Sequence, residues 1–132
     1  MKAFAYFGYA QTSQYRNYDD GYRMGKLAMA ILDRFNARNR IASVSLIVYG
    51  FLNIWKEPFQ ATIESLQYSI DKGFKIGDQD NALLNSVICG RQEILAGKNL
   101  LALSKKLEHV CRAMVRILMS NISLLSCYLI LI

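Results

Sequence analysis

The chain has 132 residues, of which 53% are hydrophobic and 20% charged, and a formal net charge of +6. That length fits one domain with a core of its own, and the apolar fraction excludes a disordered chain. The 16 lysines and arginines, set against 10 carboxylates, are spread from Lys2 to Arg116 rather than concentrated as a nucleic-acid binder would have them, which favours a solvated basic surface.

Residues 3–16 are apolar and aromatic, and read as the second helix of a hairpin. The run NYDDG (17–21) is a turn, in which Asp19 or Asp20 can cap the next helix by accepting a free backbone N–H. That helix is expected over 22–37. Met24, Leu27, Ala28, Ile31 and Phe35 recur at helical spacing on one face, with Gly25 beside them for close packing. After the polar turn NARNR (36–40), a helix over 41–56 carries the stripe Val44, Ile47, Val48, Phe51 and Trp55. It is apolar nearly all round, which places it in the middle of a stack. Pro58 suits the first turn of a further helix, expected to 72, with Phe59, Ile63, Leu66 and Ile70 on one side. Gly73 and Gly77 bracket its end. Asp78 or Asp80 starts the next helix, with Leu83, Val87, Ile94 and Leu95 and the packing glycine Gly90, and Ala96-Gly97 ends it. Asn99 can cap a last helix through Leu103, Leu107, Val110, Met114 and Ile117.

Hairpins that begin at Asp20-Gly21, Pro58 and Asn99 are about 38 and 41 residues apart, near the period of TPR-like and HEAT-like helix pairs. The expected fold is therefore all-α: antiparallel helix pairs stacked as a TPR-like right-handed array, with Trp55, Phe51, Leu27, Phe35, Leu66 and Val87 buried between helices. Residues 1–120 form the helical-repeat module. Residues 121–132 form an apolar tail that contains SLLSCYLILI, a run too short to span a bilayer as a helix. Such a tail, with a chain that opens in mid-hairpin, leads to the expectation of a fragment whose ends self-associate. The N-terminus is a poor signal peptide, so the expected location is cytoplasmic.

Chemistry-bearing motifs are sparse. Gly25-Lys26 lacks the spacing, the following Ser/Thr and the preceding strand of a phosphate-binding loop. His109, the single histidine, has Glu108 beside it rather than on its own helix face. Cys89, Cys111 and Cys127 stand far apart in apolar helical settings, which points to buried free thiols rather than disulfides or a zinc site. Glu57, Glu64, Asp71, Asp78 and Asp80 do not supply the one-loop oxygen set that a calcium site needs. Tyr6, Phe7, Tyr9, Tyr15, Tyr18 and Tyr22 crowd the N-terminal segment and suit the partly wet groove of a helical array. Arg16 and Arg23 lie among or beside them, fewer bases than a single-strand nucleic-acid platform interleaves. No catalytic residue, metal or cofactor is expected. A partner-binding groove is expected along Tyr22, Arg23, Lys26, Gln60, Glu64 and Gln67, on the first helices of successive pairs.

The segment GYRMGKLAMAILDRFNARNRIASV, the pattern Phe51-x-Asn53-x-Trp55-x-x-Pro58 and the run GDQDNA resemble the helical-repeat region of large multidomain signalling proteins. Those proteins join a Ser/Thr kinase domain, an AAA-type ATPase, this region, a GAF domain and often a histidine kinase. The resemblance covers about residues 3–115. It implies a non-catalytic coupling module whose partners are neighbouring domains of a parent protein, or another protein. The kinase and ATPase motifs themselves are absent from this chain. Two other function classes remain open: a small basic nucleic-acid-binding helical protein, and an enzyme that uses His109.

Overall fold

The computed structural model describes residues 1–120, so the expected apolar tail, with Cys127, lies outside the described residues. Among the described residues the fold is all-α, with no strand. It consists of α1 (Lys2–Tyr15), α2 (Tyr18–Arg34), α3 (Ile41–Ile47), α4 (Phe59–Ile76), α5 (Gln79–Leu95) and α6 (Leu100–Ser120). Between α3 and α4 the chain runs through a π-helical segment, Val48–Leu52, and a 3-10 turn, Asn53–Trp55.

Capping residues set most boundaries. Asn17, rather than Asp19 or Asp20, caps α2: its Oδ1 accepts from the Asp20 N–H at 3.2 Å and its Nδ2 donates to Asp20 Oδ2 at 2.7 Å. Asp20 thus returns the cap from inside the first turn. Pro58 opens α4 in extended geometry, and Gly77, at φ 83°, closes it in the left-handed region that glycine adopts without strain. Asn99 caps α6 as expected, its Oδ1 accepting from Leu101 N–H at 2.9 Å. Helix α4 passes straight through Gly73, whose missing side chain lets α5 come close: a Cβ there would lie 2.9 Å from that of Ala82.

Three apolar clusters hold the helices together. Ala5, Ala28, Leu32, Val44, Val48 and Leu52 join α1, α2 and the α3 region. Ile63, Leu66, Ile88 and Cys89 join α4 to α5, and Leu83, Leu84, Val110 and Met114 join α5 to α6. Leu46 and Tyr49, each packed against two of the clusters or their neighbours, tie the middle of the chain into both sides.

Of the six side chains expected between helices, Leu66 is fully buried, and Phe51 and Val87 are half-buried. Leu27, Phe35 and Trp55 are exposed, each for a local reason. Helix α2 turns Gly21, Gly25, Ala28 and Leu32 inward, because it meets α1 at a small-residue contact where a Cβ on Gly8 would lie 2.9 Å from the Gly21 carbonyl. That face is rotated away from Leu27. Phe35 sits at the C-cap, after α2 has already ended. Trp55 follows the π segment, in which Asn53 N–H donates to Val48 O, five residues back. The extra residue in that turn advances the face by about 100°, so Leu52 and Asn53 point inward and Trp55 outward.

Candidate functional site

The widened turn at 48–52 frees backbone carbonyls, and α5 supplies the side chains that take them. Gln92 Nε2 donates to Tyr49 O at 2.9 Å, and Arg91 Nη2 donates to Gly50 O at 3.2 Å. Gln92 is itself buried, and its Oε1 accepts from the Thr62 hydroxyl at 2.8 Å. Gly50 allows the approach, since a Cβ there would lie 3.1 Å from Ile88 Cγ2. These contacts fix the irregular segment against α5 and leave a cavity of about 600 Å³ where it meets the end of α1, the start of α4 and the end of α5. A volume of that size is within the range of small-ligand and side-chain pockets.

The cavity walls are aromatic. Tyr9 meets Phe51 edge-on at 5.5 Å, and Tyr18 lies 4.7 Å from Trp55 at a tilt of 42°. Phe59 and Leu95 complete the apolar lining. Its charges are Arg16, which follows the last turn of α1 in left-handed geometry at φ 52°, and Arg91, whose guanidinium lies 5.6 Å over the Phe51 ring. No carboxylate lines the cavity. Among the described residues neither arginine forms an ion pair.

A polar cluster lies on another side of the same irregular segment. Glu57 Oε1 accepts from the Tyr22 hydroxyl at 2.8 Å and from Lys26 Nζ at 2.6 Å. Asn53 is buried beneath, and among the described residues neither atom of its side-chain amide has a partner at hydrogen-bond geometry, although the amide lies close enough to Glu57 to help lower its carboxyl. Burial pushes the Glu57 carboxyl upward, but the Lys26 and Tyr22 hydrogen bonds and the Lys26 charge outweigh it and leave it below the ordinary glutamate value. The hydrogen bond that Lys26 donates to Glu57 raises the lysine above its ordinary value. The Glu57 contribution is therefore complete above the ordinary glutamate pKa and is lost as pH falls through the lowered folded value. The Lys26 contribution is complete below the ordinary lysine pKa and is lost as pH rises through its raised one. Glu57→Gln is expected to cost about 1 kcal/mol near neutral pH, and clearly less at about pH 3, where the wild-type carboxylate is also being protonated. Urea unfolding at the two pH values checks this; an equal or larger cost in acid contradicts it.

The six residues expected to line a groove separate into different environments. Tyr22 and Lys26 converge on Glu57. Arg23 projects outward, 3.8 Å from Asp20. Gln60 donates to Glu64 along α4 at 3.0 Å, and Glu64 borders a second cleft with Tyr49 and Tyr68. Gln67 reaches Glu93 at 3.3 Å, a buried carboxylate that Lys106 also meets at 2.8 Å. None of the six lines the aromatic cavity. Tyr9 and Tyr18 belong to the aromatic run that the sequence marks as suited to a groove, with Arg16 as one of the few bases near it. The sequence holds no signal for Arg91, which reaches the site only through the fold.

The remaining candidates are accounted for by packing and exposure. Gly25 is buried, and a Cβ there would lie 3.1 Å from Leu52 Cδ1. His109 is exposed on α6, beside Lys105, Glu108 and Arg112, and Glu108 pairs with Arg112 at 2.6 Å. Cys89 is buried, and burial pushes its thiol pKa up. Cys111 is exposed, which corrects the expectation of a core thiol: α6 packs on α5 through Leu103, Leu107, Val110 and Met114, and Cys111 points off that line. In a Cys127→Ser background, Cys111 is expected to react with a disulfide reagent in the folded protein, and Cys89 only on unfolding. Two native-rate thiols, or none, would contradict the placement. Among the described residues no group of three or more His, Cys, Asp or Glu is placed to hold a metal ion, and no helix is long and apolar enough to cross a membrane.

Compared with protein-family models, with curated proteins and with solved structures, the chain matches none.

Proposed function

We propose that this chain is a non-catalytic helical interaction module, and that the aromatic cavity is where it takes hold of a protein partner. The observation that carries the reading is the character of that cavity. Aromatic rings with polar tips and two arginines surround it, and the buried polar groups at its base, Thr12 and Gln92, are already engaged with the protein's own backbone or side chains. Such a surface offers apolar area and orientation and supplies no nucleophile with its base. Successive helices that each pack on the next are consistent with stacked helix pairs, the arrangement that TPR-like arrays use for binding. The resemblance to the helical region of large signalling proteins suggests that the partner is a neighbouring domain or an associated protein of such a system.

Selection of random displayed peptides on the immobilised full chain tests the reading. Peptides should be enriched whose binding is lost in Trp55→Ala and kept in Tyr68→Ala, a ring outside the cavity. No enrichment, or binding indifferent to Trp55→Ala, would contradict it. Turnover of a nucleotide that is lost in His109→Ala would favour an enzyme, and salt-sensitive binding to DNA or RNA would favour a nucleic-acid role.

A further inference from the structure

We infer that the cavity selects an acidic peptide segment, one in which a carboxylate side chain stands beside an aromatic one. The inference rests on the reading of the cavity as a peptide-docking site and specifies what that site recognises. Charge complementarity carries it. Among the described residues some basic side chains meet carboxylates, as Lys26 does Glu57, Lys56 Asp19, and Lys98 and Lys106 Glu93, while others, Arg34, Arg38, Arg40 and Lys75 among them, form no ion pair. Arg16 and Arg91 likewise form no ion pair among the described residues, and what sets them apart is that both border the same cavity, whose described lining holds no Asp or Glu. Arg91 is also held in place. Its Nη2 donates to Gly50 O at 3.2 Å while its guanidinium lies over Phe51, so one edge of the group is fixed and other N–H donors remain. A guanidinium fixed in this way loses little freedom when it binds a carboxylate, and the hydrogen bonds so formed are charge-assisted.

The aromatic half of the specificity comes from the walls. Phe51 with Tyr9, and Trp55 with Tyr18, present ring faces and edges on two sides of a space large enough for a side chain to enter. A basic segment would bring like charge against Arg16 and Arg91. A neutral one would forgo the charge-assisted bonds.

Three acetylated and amidated tetrapeptides test the inference on the full chain: Asp-Phe-Asp-Phe, Asn-Phe-Asn-Phe and Lys-Phe-Lys-Phe. Binding is read by calorimetry and by the emission of Trp55, the single tryptophan of the chain, which lies in the cavity wall. The acidic peptide is expected to bind roughly tenfold tighter than the neutral one, with an advantage that shrinks as salt is raised. Arg91→Gln and Arg16→Asn should each reduce that advantage severalfold. Arg91 also supports the Gly50 carbonyl, so Arg16→Asn is the cleaner variant: among the described residues the Arg16 side chain makes no hydrogen bond, and asparagine tolerates the left-handed backbone. Equal binding of the acidic and neutral peptides, or an advantage untouched by Arg16→Asn in a protein of unchanged helicity, overturns the inference and leaves peptide docking standing. Binding with no change in Trp55 emission overturns the inference too. Failure of all three peptides to bind defeats the inference together with the docking function it rests on.

Discussion

Leu66→Ala is expected to destabilise the protein by about 3 kcal/mol. Leu66 is fully buried on α4, in a cluster with Ile63, Ile88 and Cys89 that joins α4 to α5. Truncation removes its apolar contacts and leaves a cavity whose walls are held by two helices and by the Thr62 to Gln92 hydrogen bond. With a urea slope of about 2 kcal/mol per molar for a chain of this size, the unfolding midpoint should fall by about 1.5 M with no change in slope. Leu95→Ala, on a side chain that is 62% exposed at the cavity rim, should cost well under about 1 kcal/mol. Similar costs for the two would mean that α4 and α5 do not meet through this cluster.

Gly73→Ala should destabilise by about 1–2 kcal/mol, although alanine is the better helix former by nearly 1 kcal/mol. The new methyl would lie 2.9 Å from Ala82 Cβ, 3.1 Å from Ala42 Cβ and 3.3 Å from Asp78 O. A methyl on a backbone carbon cannot rotate away, so helices must separate. Gly90→Ala is the informative contrast. There the obstacle is Leu107 Cδ2, the far end of a flexible side chain that is only half-buried. Its displacement is cheap and the gain in helix propensity nearly offsets it, so the net change should stay within about 0.5 kcal/mol. Thermal and urea unfolding of both variants measure the difference. A larger loss at Gly90 than at Gly73 would contradict the packing described here.

Helical periodicity, caps and turn glycines made the helical character and most of the boundaries legible in the sequence. Pro58, Gly77, Gly97 and Asn99 act where their chemistry says they should. Two features were hidden. The contact of α1 with α2 uses Gly8, Gly21, Gly25 and Ala28; Gly25 and Ala28 were on or beside the expected stripe, but small residues carry little hydrophobic signal, so the buried face was centred too near Leu27 and Phe35, which are exposed. The π segment changes phase by one residue at 48–52 without altering the apolar pattern on either side, which is why Trp55 was expected inside. The same irregularity explains why the aromatic cavity was only half visible. Tyr9, Arg16 and Tyr18 lie close in sequence. Phe51 and Arg91 join them through carbonyls that a regular helix would have kept for itself.

The central claim is that the cavity beneath the π segment is a docking site. The most direct measurement is a two-dimensional ¹H–¹⁵N NMR titration of the full chain with the acidic tetrapeptide, following the Trp55 indole N–H. The account predicts a saturable shift of that signal, together with shifts at the backbone amides of Phe51, Phe59 and Arg91 and little change at Arg23 or His109. Saturable shifts centred on α6 or on Tyr22 and Lys26, with the Trp55 indole unmoved, would contradict it.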